Sequence, residues 1–332
     1  MANYLPASSG LLAPIEPYLN DPLISEILIN RPYEIFIEKQ GRMSAHSVPE
    51  FSEKMLYTLF KLIANENRQE LSDKRPLLSG SLLDGTRVQL VLPPVSLSPA
   101  MSLRRKVVIS RGLTEYGQDP VFYQQTKKAV MSQDKPILSE RESQLIDLYQ
   151  QEKWPEFIRM AILLKKTMVL SGGTGSGKTT FLSACLQDIP LTERILLLED
   201  TRELDIPHPN HIALLASKND QGIAKVTMQD LVQASLRLRP DRIILGEIRG
   251  KEILDFLAAA STGHEGSITS IHADDPQGAL MRMAQMYKLN NVPSMTDSDI
   301  YRELNAVIDV IIQLEKTSQG YSLQSIYYRY GQ

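Results

Sequence analysis

The sequence predicts a mixed α/β chain of two units, an N-terminal α+β domain over residues 1–111 and a C-terminal α/β domain over residues 152–332, joined by a linker over residues 112–151. Three observations carry this reading. The 332 residues are 42% hydrophobic and 23% charged, enough apolar chain for two cores and too much for disorder. In the first hundred residues short strands surround a helix with no helical crossover after each strand. After Trp154, compact apolar strands alternate with helical stretches.

In the first unit, Glu26-Ile27-Leu28-Ile29-Asn30 and Glu34-Ile35-Phe36-Ile37-Glu38 read as strands, and Gly41 follows the second as a turn signal. Phe51 to Ala64 places Met55, Leu56, Leu59, Phe60 and Ile63 at helical spacing, an amphipathic helix that lays its apolar face on that sheet. Asp84-Gly85 lies between apolar runs in Leu82 to Val91, and Asp-Gly supplies the positive φ angles of a two-residue turn, so a hairpin is expected there. Residues 112–151 are polar and include Gly117, Pro120 and Pro136, which suits a linker with one or two short helices. In the second unit, Thr167 to Leu170, Ile195 to Leu198, Arg242 to Leu245 and Ser267 to Ile271 are runs of the kind found in a buried parallel sheet. Such a sheet binds its ligands at the carboxyl ends of the strands. Ala306 to Leu314 and Tyr321 to Tyr328, turned at Ser318-Gln319-Gly320, predict a hairpin at the sheet edge.

A single Cys185 excludes an intrachain disulfide framework and an all-cysteine zinc site, and points to a reducing compartment. It falls among small and apolar residues and reads as core packing. Lys and Arg number 36 against 39 Asp and Glu, so no overall basic field directs the chain to nucleic acid or anionic membrane. The start Met1-Ala2-Asn3-Tyr4 lacks the basic and apolar regions of a signal peptide, and no apolar run approaches the roughly 20 residues of a membrane span. A soluble, cytosolic chain is the expectation.

The strongest motif is Gly172-Gly173-Thr174-Gly175-Ser176-Gly177-Lys178-Thr179, which fits G-x-x-x-x-G-K-[ST]. It follows a strand and opens a helix through Thr180, Phe181 and Leu182, the setting in which backbone amides and a helix dipole cradle phosphate. Lys178 is expected on the β and γ phosphates of ATP and Thr179 on Mg2+. An acid is needed to orient the attacking water. Ile243-Ile244-Leu245-Gly246-Glu247 ends in one, although Gly246 occupies the usual magnesium-binding Asp position. Asp241 precedes that strand and so belongs to the opposite edge of the sheet; Glu199, ending Ile195 to Leu198, is the second candidate. His264 and His272 bracket an alternating strand, with no third ligand spaced for zinc and with neighbouring hydroxyls that suit a polar network near phosphate. Arg237 and Arg239 lie just before the strand that ends in Glu247, where an arginine could serve a neighbouring subunit's phosphate. Arg87, Arg104 and Arg105 fall on strands of the first unit, either as phosphate ligands or as solvated residues of an exposed sheet face.

Leu198-Glu199-Asp200-Thr201-Arg202-Glu203-Leu204, the run from Arg239 to Gly250 and the histidine segment from Thr262 to Ala273 resemble, in order and interval, the acidic box, second nucleotide motif and His box of the bacterial secretion ATPases. Within that superfamily the chain is most similar to the hexameric traffic ATPases of type IV secretion and conjugation. Glu26 to Asn30, Asp84-Gly85-Thr86-Arg87 and Leu92-Pro93-Pro94 extend the likeness into the first unit. The resemblance implies a RecA-like P-loop ATPase domain, magnesium-dependent ATP hydrolysis, six subunits in two stacked rings, and ATP held between the domains. It assigns Glu199 and Glu247 to catalysis, His264 and His272 to the His box, and Arg87 and Arg104 to the nucleotide, with Arg105 leaving that register open. It also implies inner-membrane proteins and other ATPases of a secretion apparatus as partners, peripheral attachment at the cytoplasmic face, and no sequence-specific nucleic-acid binding. The long linker leaves open which C-terminal domain each N-terminal domain covers.

Other readings share the chemistry. Many type II secretion ATPases carry a four-cysteine metal insertion, which one cysteine cannot supply; a type IV pilus assembly ATPase is the related alternative. A nucleic-acid motor is disfavoured by the near-neutral charge and 6% aromatic content. The Asn-Lys-x-Asp motif of guanine-nucleotide switches is absent.

Overall fold

A computed structural model describes residues 7–105, 139–217, 224–292, 294–318 and 320–331. Most of the segment read as a linker lies outside the described residues.

Two short helices, α1 (Ser9–Leu12) and α2 (Glu16–Asn20), lead into β1 (Ile24–Ile29), β2 (Glu34–Lys39), β3 (Arg42–Ser47), α3 (Glu53–Glu66), β4 (Leu77–Ser81), β5 (Arg87–Val91) and β6 (Ala100–Arg104). The strands form one antiparallel sheet in the order β3-β2-β1-β6-β5-β4. Helix α3 starts where the Ser52 hydroxyl accepts the Met55 amide, and it buries Leu56, Leu59, Phe60, Ile63 and Ala64 in this unit's core. The expected hairpin is present, with a turn over residues 82–86 rather than two residues. The Asp84 carboxylate accepts both the amide and the hydroxyl of Thr86, which settles the longer turn, and Gly85 adopts φ 83°. Strand β3 is largely exposed and polar, so its sequence lacks the apolar alternation that marks a strand.

The second unit opens with α4 (Glu140–Gln150) and α5 (Trp154–Leu163), then runs β7 (Met168–Gly172), α6 (Lys178–Gln187), β8 (Ile195–Glu199), β9 (His211–Leu215), α7 (Met228–Ser235) and β10 (Arg242–Leu245). It continues with α8 (Glu252–Ser261), β11 (Ile268–Ile271), α9 (Pro276–Lys288), α10 (Asp297–Val307), β12 (Val310–Thr317) and β13 (Gly320–Tyr328). Its sheet order is β13-β12-β7-β11-β10-β8-β9, parallel except for the edge strand β13. Strand β11 thus separates the phosphate-loop strand β7 from the acid-bearing strand β10, the RecA-like arrangement. One face of the sheet is covered by α7, α8, α9 and α10, and the other by α4, α5 and α6. Cys185 lies in the second layer, 3% exposed, and burial pushes its thiol up to about 12. Helix α4 falls within residues 112–151, yet a capping box of Ser139 and Glu142 starts it, and its Leu145 is fully buried beside β7. Ala306 and Val307 belong to α10, so β12 begins later than the apolar run suggested.

The first sheet packs along β9 and the amino-terminal side of β8 and β10. Val91, Val95 and Ala100 enter the second unit's core, and the Leu215 amide donates to the Val95 carbonyl at 2.7 Å. Asn30 Nδ2 donates to Asn210 Oδ1 at 2.9 Å, and fully buried Arg194 donates to Asn30 Oδ1 at 2.7 Å. Arg239 holds Glu38 through two hydrogen bonds of 2.7 and 2.6 Å and Asp241 through one of 3.0 Å. Its backbone is in the left-handed region at φ 53°, so this turn is maintained by the paired guanidinium that the first sheet receives.

Candidate active site

Strand β7 ends at Gly172, where a Cβ would stand 2.4 Å from Ser176 Oγ and 2.5 Å from the Leu314 carbonyl oxygen, so only glycine lets the loop fold back on itself. Gly177, at φ 87°, turns the chain into α6, whose first residue is Lys178. This strand, loop and helix start is the setting in which loop amides and a helix terminus cradle phosphate. Lys178 Nζ donates to the carbonyls of Gly172 and Gly173 at 2.7 and 2.9 Å and to His272 Nδ1 at 3.2 Å. Burial pulls its pKa below the ordinary lysine value, against the pull of Glu247. Ser176 Oγ is buried without a protein partner, whereas Thr179 and Thr180 are exposed at the start of α6.

The strand ends supply the opposite wall of a cleft of about 400 Å³, which holds the residues Thr174 to Thr180, Glu199, Glu247 and His272 together. Lysine has no acceptor, so His272 accepts at Nδ1 and carries its proton at Nε2, from which it reaches Glu247 Oε1 at 3.3 Å. The other Glu247 oxygen accepts from Arg249 at 2.9 Å, and Arg249 also pairs with Asp200. The series Lys178, His272, Glu247, Arg249, Asp200 therefore links the phosphate loop to the acids on β10 and after β8. Glu199 is 4% exposed; one oxygen accepts the Glu203 and Leu204 amides at 2.9 and 3.0 Å, and burial raises its pKa despite them. Ser270 Oγ donates to the Gly246 carbonyl at 2.7 Å, tying β11 to the turn that carries Glu247. The sequence gives Arg249 and Ser270 no role of their own, and it gives Asp200 only as the acid that follows Glu199 at the end of the Ile195 to Leu198 strand. The available signal was an arginine two residues after the strand-end acid.

The remaining residues of interest lie elsewhere in the chain. His264 precedes β11 and donates from Nδ1 to the Pro240 carbonyl at 3.1 Å; burial keeps its pKa below the ordinary histidine value. Arg87, Arg104, Arg237 and Arg239 line a second cleft of about 380 Å³ between the first sheet and the end of α7. The four-residue strand β10, about 13 Å long, separates that side of the sheet from Glu247. Arg239 is committed to Glu38, whereas Arg87 and Arg237 are exposed. Arg105 turns away and donates to the carbonyls of Asp21 and Ile24.

A row of paired residues crosses four strands behind this cleft: Arg87 opposite Arg104, Arg104 opposite Glu26, and Glu26 opposite Glu38. Arg104 Nε lies 3.4 Å from Glu26 Oε1, and Glu26 Oε2 is buried without a partner. Burial pushes the Glu26 carboxyl up to about 7, against the attraction of Arg104 and Arg239 and with repulsion from Glu38. A folded-state pKa above the unfolded value of 4.5 means that the fold holds its proton more tightly. This residue's contribution therefore weakens as pH rises from about 4.5 to about 7. Glu26→Gln should unfold at a higher urea concentration than the parent at pH 8, by up to about 3 kcal/mol, with the two converging near pH 5. A difference that is the same at both pH values would contradict this.

Among the described residues no helix is long and apolar enough to cross a membrane, and no group of three or more His, Cys, Asp or Glu side chains is set to hold a metal ion. The model of the family described as "Type II/IV secretion system protein" matches residues 9–319. Type IV secretion system protein VirB11 of Brucella suis is 36% identical over 309 residues, 91% of this chain and 84% of that protein. Protein VirB11 of Agrobacterium tumefaciens is 34% identical over 324 residues, 96% and 92% of the two lengths. The crystal structure of the VirB11 ATPase from the Brucella suis type IV secretion system, in complex with sulphate, matches with a TM-score of 0.89 at 33% identity and covers 97% of each chain. A phosphate loop facing strand-end acids, on a fold shared along its whole length with these relatives, places the chain in the type II/IV secretion system protein family, as an ATPase of type IV secretion.

Proposed function

We propose that this ATPase works as a ring of six at the cytoplasmic face of the inner membrane, where hydrolysis of Mg-ATP drives subunit motion that powers pilus assembly or the passage of DNA or protein cargo. The observation that carries it is the convergence of Lys178, Glu247 and His272 on the phosphate loop, with Arg87 and Arg237 gathered in a separate cleft at the other side of the sheet.

In this reading the loop amides and Lys178 bind the β and γ phosphates. Thr179 would hold Mg2+ beside the phosphates, where the ion would supply neutralisation of the charge that builds on them. Glu247 orients a water and takes its proton as the water oxygen bonds to the γ phosphorus; the bond from that phosphorus to the β–γ bridging oxygen breaks, giving ADP and phosphate. Glu199, whose carboxylate accepts the Glu203 and Leu204 amides, stiffens the wall beside Glu247. His272 touches both Lys178 and Glu247, so movement of either is felt by the other. Arg87, Arg104 and Arg237 serve the phosphates of a neighbouring subunit, while Arg239 holds Glu38 across the domain junction and His264 braces the Pro240 carbonyl beside it. Inner-membrane components and the other ATPases of the apparatus hold the ring in place.

Deletion of the gene in its native host, followed by paired assays of conjugal transfer and protein export, tests this. Loss of one or both, restored by the parent gene and not by Lys178→Ala, is expected. Unchanged transfer and export would overturn it.

A further inference from the structure

Tyr321 is 70% exposed, at the tip of the β12–β13 hairpin, and it lines the same cleft as Lys178 and Glu247. Its ring packs over the last glycine of the phosphate loop: a Cβ on Gly177 would meet Cδ1 of the ring at 3.2 Å and Cε1 at 3.6 Å. The hairpin has the reach for this. Leu314 of β12 pairs with Gly172, the last residue of β7, and β12 continues through Thr317 before turning, so the tip stands beside the loop above the carboxyl edge of the sheet.

The sheet order gives the side. Glu247 and His272 follow β10 and β11, on one flank of β7, and the β12–β13 hairpin lies on the other. A triphosphate whose γ phosphate faces Glu247 and whose β phosphate sits in the loop must lead its nucleoside away from the acids, toward the opposite flank. Tyr321 is the aromatic ring that lines the cleft there. A broad, partly exposed ring is costly to leave in water and is a good platform for a flat heterocycle, because stacking needs only a π face and tolerates different bases.

We propose that Tyr321 is the stacking platform for the base of the bound nucleotide, and so the residue through which this site prefers a nucleoside triphosphate to a bare polyphosphate. The proposal rests on the reading that the cleft binds ATP. It makes Tyr321 a binding residue with no part in the proton or phosphoryl steps.

Equilibrium binding of a non-hydrolysable ATP analogue and of inorganic tripolyphosphate, each with Mg2+, is measured on the full chain and on Tyr321→Ala, Tyr321→Phe and Lys178→Ala, with assembly mass followed in parallel. Tyr321→Ala should bind the ATP analogue about tenfold more weakly, tripolyphosphate unchanged, and Tyr321→Phe should bind both like the parent. In turnover assays the same loss should fall on KM and spare kcat. Equal weakening toward both ligands, or a change in assembly mass that accounts for the loss, would assign the ring to support of the loop or to a subunit contact and overturn the proposal. So would unchanged binding of the analogue. A failure of the underlying ATP reading looks different: the parent would bind neither ligand, or Lys178→Ala would bind both as the parent does.

Discussion

Glu247→Gln is expected to bind Mg-ATP with an affinity close to that of the parent and to hydrolyse it at least about a hundredfold more slowly. In the proposed reading the phosphate contacts come from the loop, Lys178 and Thr179, none of which this change replaces. What is lost is the carboxylate to which that reading gives the proton of the attacking water. Glutamine keeps the length of the side chain and one acceptor oxygen, so either Arg249 or His272 retains its partner and the other must turn aside. Binding by calorimetry and single-turnover hydrolysis together separate the two effects. Turnover within a few-fold of the parent would remove Glu247 from the proton step and transfer the role to Glu199, which is already occupied by two backbone amides.

Much of the site was legible because its chemistry is local. Gly172 to Thr179 needs a strand before it and a helix after it, and the apolar run to Leu170 and the helical residues from Thr180 state both. Glu247 and His272 could be placed because each ends a buried strand, and parallel strands in one sheet bring their carboxyl ends together. The ion pairs that connect these residues were less legible. Arg249 reaches Asp200 from a different strand end, a meeting set by the adjacency of β8 and β10 and by no spacing in the chain. Arg237 and Arg239 look equivalent in sequence, yet Arg239 sits in a left-handed turn whose guanidinium is held by Glu38, about 200 residues earlier, in the other unit. The domain junction is built from Asn30, Arg194 and Asn210, polar residues whose burial no local pattern signals. Strands β3 and β9 escaped for opposite reasons: β3 is polar and exposed, and β9 is five residues long between polar loops.

The second large effect concerns the arginine cleft. Arg87→Ala/Arg237→Ala should fold, since both side chains are exposed, and should lose most ATP turnover, because arginines on transferring phosphate are worth ~4 to 7 kcal/mol of barrier. Lys178→Ala should also be inactive, its loop no longer holding the γ phosphate. If the cleft served its own chain, every site in a mixture of the two variants would still lack one of its parts. Within one chain, however, the length of β10 and the packing of the first sheet keep these arginines away from Glu247. In the proposed ring, a second copy brings them to a phosphate loop. The most direct measurement is therefore ATP turnover by mixed assemblies, made by co-expressing the two variants with different tags and purified through both. The account predicts recovery to about a quarter of the parent rate, since random mixing sets an intact loop beside intact arginines at about one site in four. Turnover no higher than the mean of the two variants alone would contradict it.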